Sequence, residues 1–157
     1  MLLLTASRPN NPVNSNLRNQ KADTDAVPKT NTTPKRILIV EDNDLNRQML
    51  HEYIVFCGYQ VLSLRGGSGF FEALAEFQPQ LILLDLKLPD IDGYTLLKQL
   101  QQSTEWGYIP VIIVSAFAFK ADQQRALSLG ARRYFVKPLN LSKLKQAIAD
   151  ELDNLKT

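Results

Sequence analysis

From residue 35 onward five short apolar runs recur, at residues 37–40, 61–64, 81–84, 111–114 and 134–136. They are rich in Leu, Ile and Val and mostly unbroken by polar residues, the pattern of strands buried on both faces. Stretches of helix length lie between and after them. The first, 44–56, carries Leu45, Met49, Leu50, Tyr53 and Ile54 at helical spacing and is followed by Gly58, a helix-terminating residue. The others span about 69–77 before Pro79, 93–102 after an Asp-Gly turn, 120–129 before Gly130, and 141–155 after Pro138. Strand and helix thus alternate five times, which predicts an α/β fold of (βα)5 type. Right-handed crossovers make all five strands parallel, so their C-terminal ends share one edge of the sheet.

The start of the chain reads differently. Residues 9–35 are dominated by Asn, Thr, Pro, Ser and Lys, with Val13, Leu17, Val27 and a few Ala as the apolar residues. Such a segment cannot bury enough surface to offset the entropy of ordering it. The sequence therefore predicts a disordered, basic extension over 1–34 and one folded domain over 35–157. Residues 1–36 hold six Lys or Arg against two Asp, and the remainder 12 basic against 14 acidic side chains. Without interleaved aromatics, the basic excess of the extension is read as a solubility feature. With 157 residues the chain has room for one domain of ordinary size, not a two-domain enzyme. The single cysteine, Cys57, has no partner for an intrachain disulfide and suits a reducing compartment. No apolar run approaches the ~20 residues of a membrane span, so a cytoplasmic location is expected.

Polar residues stand directly after four of the five apolar runs: Glu41 and Asp42 after the first, Asp85 after the third, Ser115 after the fourth, Lys137 after the fifth. Topology delivers all of them to one rim, where open α/β sheets bind ligands. Three carboxylates brought together repel, and holding them ionised at neutral pH calls for a cation. With oxygen ligands, the single histidine His51 and the single thiol Cys57, Mg²⁺ fits and zinc or copper does not. With that charge neutralised by a metal and by Lys137, a carboxylate can attack an in-line phosphoryl donor and become an acyl phosphate. Asp85 is the candidate nucleophile, since it ends a central apolar strand and precedes a turn with Pro89, Asp92 and Gly93. Lys137 and Ser115 would hold the phosphoryl oxygens.

Over about 36–155 these residues resemble the receiver domain of bacterial two-component response regulators, of the single-domain kind related to chemotaxis regulators. KRILIVEDN resembles the first strand with its acidic pair, LILLDLKLPDIDG the phosphoacceptor strand and turn, PVIIVSA the hydroxyl-bearing strand, and YFVKP the lysine-bearing strand. The resemblance implies a doubly wound, flavodoxin-like sheet of order 2-1-3-4-5. It also implies that Asp42, Asp85 and the backbone carbonyl of Lys87 bind Mg²⁺ directly and that Glu41 acts through water. Ser115 would swing toward the phosphoryl group. Tyr134 would turn inward after it, changing the surface of the fourth helix, fifth strand and fifth helix. A cis bond between Lys137 and Pro138 is implied as well. The implied partners are a sensor histidine kinase or a histidine phosphotransfer protein as donor and an unidentified downstream protein as recipient. No attached effector is expected after the fifth helix, and neither DNA nor membrane binding. The protein is expected to be no enzyme beyond its own phosphorylation and dephosphorylation. Other readings are a receiver-like interaction module indifferent to phosphate, and a phosphatase or flavin oxidoreductase on the same fold.

Two positions bear on phosphate lifetime: Lys87, two after the acceptor, offers a cation, and Phe117, two after Ser115, is bulky enough to shield an acyl phosphate. Both predict slow self-dephosphorylation. The stretch 65–69, Arg-Gly-Gly-Ser-Gly, fits no phosphate-loop pattern and is read as a loop. His51 is expected to be exposed, Asp44 to serve as the first helix's N-cap, and Arg132 and Arg133 to form a solvated pair.

Overall fold

The computed structural model describes residues 32–156. The extension expected over 1–34 lies outside the described residues except for its last three. The elements follow one another as β1 (Arg36–Val40), α1 (Asp44–Phe56), β2 (Gln60–Leu64), α2 (Phe70–Phe77), β3 (Leu81–Leu84), α3 (Gly93–Gln102), β4 (Val111–Ser115), α4 (Lys120–Ser128), β5 (Arg133–Val136) and α5 (Leu141–Asn154). The strands form one parallel sheet in the order β2-β1-β3-β4-β5, which makes the fold flavodoxin-like, as expected.

Side chains alternate across each strand, and this alternation builds a core on both faces. Leu38, Val40, Ile82, Leu84, Val111 and Ile113 face one side and pack with α2, α3 and α4 through Phe70, Leu74, Leu97, Leu100 and Ala126. Ile37, Ile39, Leu81, Leu83, Ile112 and Val114 face the other and pack with α1 and α5 through Leu50, Ile54, Leu144 and Ile148. Burying each of these branched side chains contributes about 2 kcal/mol. Only the three central strands β1, β3 and β4 are buried on both faces. The edge strands β2 and β5 are half-buried, because each lacks a neighbour on one side.

Side-chain oxygens cap three helices at their N-termini: Asn43 for α1, Asp92 for α3 and Asn140 for α5. The N-cap of α1 is thus Asn43, not Asp44, which occupies the first turn. The apolar stripe of α1 is also narrower than its sequence suggests. Leu50 and Ile54 are buried, but Leu45 is 75% and Met49 41% exposed, since they sit on the flank that turns from the sheet to the solvent. The Lys137–Pro138 bond is cis. Among the described residues no helix is long and apolar enough to cross a membrane.

Candidate functional site

Strand register assembles the site. Val40 pairs with Leu84, Leu84 with Ile113 and Ser115 with Val136, so the residues that follow leave the sheet side by side. The backbone ladder runs on into the site itself. The amide of Glu41 donates to Leu64 O at 3.0 Å, that of Asp85 to Val40 O at 2.9 Å and that of Lys137 to Ser115 O at 2.9 Å. The candidate side chains of Glu41, Asp85 and Lys137 are thereby mounted on backbone that is bonded to the sheet.

Glu41, Asp85 and Ser115 are buried, and Asp42 is exposed beside them. One carboxylate oxygen from each of Glu41, Asp42 and Asp85 lies within 4.8 Å of the others. Lys137 Nζ donates to Glu41 Oε2 at 2.6 Å and to Asp85 Oδ2 at 2.9 Å. Glu41 Oε1 accepts from the amide of Asn43 at 3.0 Å, and Asp85 Oδ1 from the amide of Lys87 at 3.0 Å. Ser115 Oγ accepts from the amide of Phe117 at 3.2 Å. Removing carboxylates from water disfavours their charge. Burial accordingly raises Glu41 above the usual carboxylate range and the negative charge of Asp85 adds to this, although Lys137 and the Asn43 amide act the other way. Burial alone would lower Lys137, but its two carboxylate partners outweigh that and raise it. Lys137 is therefore held charged.

The donor set suits a small hard cation. It is all oxygen, carries negative charge in excess of the single Lys137, and opens to water at Asp42. The histidine and the thiol contribute nothing: His51 Nδ1 is hydrogen-bonded to Ser63 Oγ at 2.9 Å, and Cys57 lies just beyond the far end of α1. His51 is half-buried rather than exposed, because the adjacent edge strand β2 offers it a hydroxyl.

Around the rim, Tyr134 Oη donates to the carbonyl of Phe117 at 2.8 Å, tying β5 to the loop after Ser115. Burial raises the Tyr134 hydroxyl above its ordinary value. Tyr94 Oη donates to Asp122 Oδ1 at 3.2 Å, and the Arg125 guanidinium stacks 3.9 Å from its ring centre. Burial, reinforced by Asp122, pushes Tyr94 up to about 12. Tyr94 was absent from the sequence-based candidates, and its aromatic position on the buried face of α3 gave no sign of the polar link to α4.

The loop at 65–69 turns amides toward a carboxylate of the chain itself. Its amides at Gly67 and Ser68 are taken by Asp90 Oδ1 and Oδ2 at 2.9 and 2.7 Å, so the protein supplies the anion itself. The glycines are needed for close approach, since a Cβ at Gly66 would stand 2.6 Å from Asp90 Oδ1 and one at Gly67 would overlap Ile91 Cγ2. Arg133 also departs from expectation. It lies within β5 and its Nε donates to the buried Glu151 at 2.8 Å, with Asp150 nearby, whereas Arg132 is exposed.

Sheet order, acidic cluster and bridging lysine define a class. Residues 37–149 match the response regulator receiver domain family, and the chain belongs to that family. It is 36% identical over 119 residues to the polar-differentiation response regulator DivK of Brucella anthropi, across 76% of this chain and 97% of DivK. The CheY-like receiver domain protein of Methanospirillum hungatei superposes with a TM-score of 0.73 at 28% identity, covering 79% of this chain and 98% of that one. The receiver domain of the sensor histidine kinase PA1611 of Pseudomonas aeruginosa, solved with a magnesium ion coordinated in its active-site cleft, superposes with a TM-score of 0.70 at 25% identity. That match covers 77% of this chain and 99% of the neighbour.

Proposed function

We propose that this receiver is a phosphorylation-controlled switch in which Asp85 accepts a phosphoryl group from a phosphohistidine. The observation that carries the reading is the buried Asp85 carboxylate held between Lys137 Nζ and the Lys87 amide inside an oxygen-only acidic cluster. An Asp85 oxygen attacks phosphorus, the O–P bond forms, the N–P bond of the donor breaks, and the imidazole nitrogen leaves with the electron pair. Lys137 moves from carboxylate neutralisation to the incoming phosphoryl oxygens, and the Ser115 hydroxyl, on the rigid end of β4, donates to another. Asp42, Asp85 and the Lys87 carbonyl would hold Mg²⁺ directly, and Glu41 would act through water. When bound, the ion supplies charge neutralisation of the transferring group. The PA1611 neighbour, solved with a magnesium ion in its active-site cleft, supports a magnesium site here.

Output then runs from Ser115 through the loop to Tyr134, whose hydroxyl already contacts that loop. Movement of the tyrosine alters the α4–β5–α5 surface presented to a downstream protein. The donor is a histidine kinase or a histidine phosphotransfer protein. No turnover of an external substrate is part of this role, and a cytoplasmic site of action suits it.

Intact-mass analysis after incubation with Mg²⁺ and acetyl phosphate tests the reading, with phosphoramidate as a second donor. One phosphate-sized adduct is expected, lost in Asp85→Asn and without Mg²⁺. A parent protein that takes no adduct while a reference receiver is labelled would overturn it.

A further inference from the structure

The ladder that mounts the acidic pair stops at Glu41. Its amide is the last to join the sheet, and Asn43 O is already the first acceptor of α1, receiving the amide of Arg47 at 2.9 Å. The carbonyls of Glu41 and Asp42 lie between these two systems and belong to neither. Arg47 takes both: its Nη1 donates to Glu41 O at 3.0 Å and to Asp42 O at 3.3 Å. The other arm of the fork, Nη2, pairs with Asp44 Oδ1 at 2.5 Å, and Asp44 is in turn held by Arg65 of the loop after β2. The Arg47 side chain is only 17% exposed, so it is packed into this position rather than waving in solvent.

A peptide unit is planar, so holding a carbonyl fixes the whole plane. The carbonyl of Glu41 belongs to the plane before the Asp42 Cα and the carbonyl of Asp42 to the plane after it. Pinning both fixes φ and ψ of Asp42 and hence the direction of its Cα–Cβ bond. The Asp42 carboxylate accepts no hydrogen bond from any described residue, so its aim rests on that backbone alone. Glu41 is held independently, by Lys137 and the Asn43 amide.

We infer that Arg47 is a positioning residue which, by clamping the two peptide planes that flank Asp42, aims that carboxylate at the metal position and sets the affinity for Mg²⁺. The inference rests on the metal reading proposed above. The guanidinium spreads its donors over two nitrogens, so that Nη1 serves the carbonyls while Nη2 serves Asp44, and the single ammonium nitrogen of a lysine cannot stand at both places.

The sign of the effect separates positioning from simple electrostatics. Arg47 is a cation near a cation site, so deleting its charge would tighten Mg²⁺ binding if the field were all that mattered. Positioning demands the opposite. The test is an NMR titration of the intact protein with MgCl₂, following the amides of residues 42, 43, 86 and 87 in the parent, Arg47→Gln, Arg47→Lys and Arg65→Gln. Arg65→Gln removes the same charge without touching either carbonyl. Arg47→Gln is expected to weaken Mg²⁺ of the order of tenfold, the scale typical of residues that orient metal ligands. Arg47→Lys should fall between Arg47→Gln and the parent, and Arg65→Gln should stay within about twofold of the parent. Amide hydrogen exchange at residues 42–44 of the metal-free protein is expected to quicken in Arg47→Gln alone, with melting temperatures confirming that every variant is folded. Unchanged or tighter Mg²⁺ binding in Arg47→Gln, or equal changes in Arg47→Gln and Arg65→Gln, would overturn the inference while leaving the metal site standing. A parent that binds no Mg²⁺ would overturn the metal reading, and this inference with it.

Discussion

The two edges of the sheet are built from the same strands and treat charge in opposite ways. Around Arg36 at the N-terminal edge polar groups are matched one to one: the amide of Arg36 donates to Gln80 Oε1 at 2.9 Å, its Nε to Gln78 O at 2.9 Å, and the amide of Gln80 to Arg36 O at 2.8 Å. At the start of β5 the buried Glu151 has the Arg133 guanidinium at 2.8 Å, and the second acid there, Asp150, is half-exposed, so only one buried carboxylate draws on that cation. At the C-terminal edge two buried carboxylates share one lysine, and Glu41 is pushed away from its charged form by burial, with the Asp85 charge adding to it. Cavity size does not distinguish the edges. A cleft of about 450 Å³ lined by Arg36, Gln80, Trp106 and Tyr108 lies at the first, and one of about 450 Å³ lined by Met49, Leu50, Lys137 and Leu139 at the second. What distinguishes them is electrostatic conflict held in place by rigid strands, and such conflict is where chemistry is to be sought.

Removing the shared lysine breaks this contrast most forcefully. In metal-free protein Lys137→Met leaves Glu41 and Asp85 buried without a counter-charge, and a loss of about 3 kcal/mol is expected, toward the lower end for breaking a buried ion pair because Asp42 keeps the rim wet. Arg36→Met at the opposite edge loses one exposed hydrogen bond, about 1 kcal/mol. Urea denaturation of both variants at pH 7 measures the difference. Equal losses would mean that the C-terminal rim is solvated enough to carry its charges unaided, and the asymmetry would fall.

The same asymmetry governs what the sequence revealed. Strands were readable because Leu, Ile and Val runs mark burial on both faces. The structure adds mainly flanking polar residues, Arg36, Gln60, Arg133 and Ser115, whose backbones join the ladder whatever their side chains do. Glu41, Asp42, Asp85, Ser115 and Lys137 were readable because each closes an apolar run, and topology fixes where such runs end. The sharing of Lys137 between two carboxylates depends on side-chain packing across strands more than fifty residues apart in sequence, which no local pattern records. Arg47 was missed because it binds main-chain carbonyls, which every residue has. A weak signal did exist: a cation one turn into a helix opposes the helix dipole, and local conflicts of that kind mark residues held for another purpose. Leu45 and Met49 misled in the opposite direction, since apolar spacing predicts a stripe without saying how much of it the sheet can cover.

A smaller effect is expected from the residues flanking Asp85, the proposed phosphoacceptor. Lys87 is exposed at the rim, and Phe117 is 37% exposed on the loop held by Ser115 and Tyr134. Both bear on access of water to an acyl phosphate at Asp85. The double variant Lys87→Asn, Phe117→Ala is expected to lose phosphate of the order of tenfold faster than the parent, equivalent to about 1.4 kcal/mol of barrier. Decay of the mass adduct after removal of the donor measures it. An unchanged rate would place control of the lifetime in the buried part of the rim rather than at its margin.

The smallest effect belongs to the charges on the solvent side of the same rim, and it carries a definite sign. Hydrogen bonds from Arg65, then Arg47, hold Asp44 down at about 2 against an ordinary 3.8. A depressed carboxyl favours the folded state only when ionised, so this contribution is complete above pH ~4 and disappears as pH falls from there toward 2. Asp90, lowered by the amides of Gly67 and Ser68, acts in the same direction, whereas Glu41, which is raised, loses stability as pH climbs. Asp44→Asn is therefore expected to be slightly less stable than the parent at pH 5–7 and to converge with it near pH 2, keeping the part of the acid slope due to Asp90. Because Asp44 is exposed, added salt should shrink the gap at pH 6. Thermal melts across that range at two ionic strengths decide the matter. A gap that persists undiminished in high salt would mean that Asp44 belongs with the buried charges of the site, and the line between the frustrated interior of the rim and its relaxed exterior would have to be drawn one residue further out.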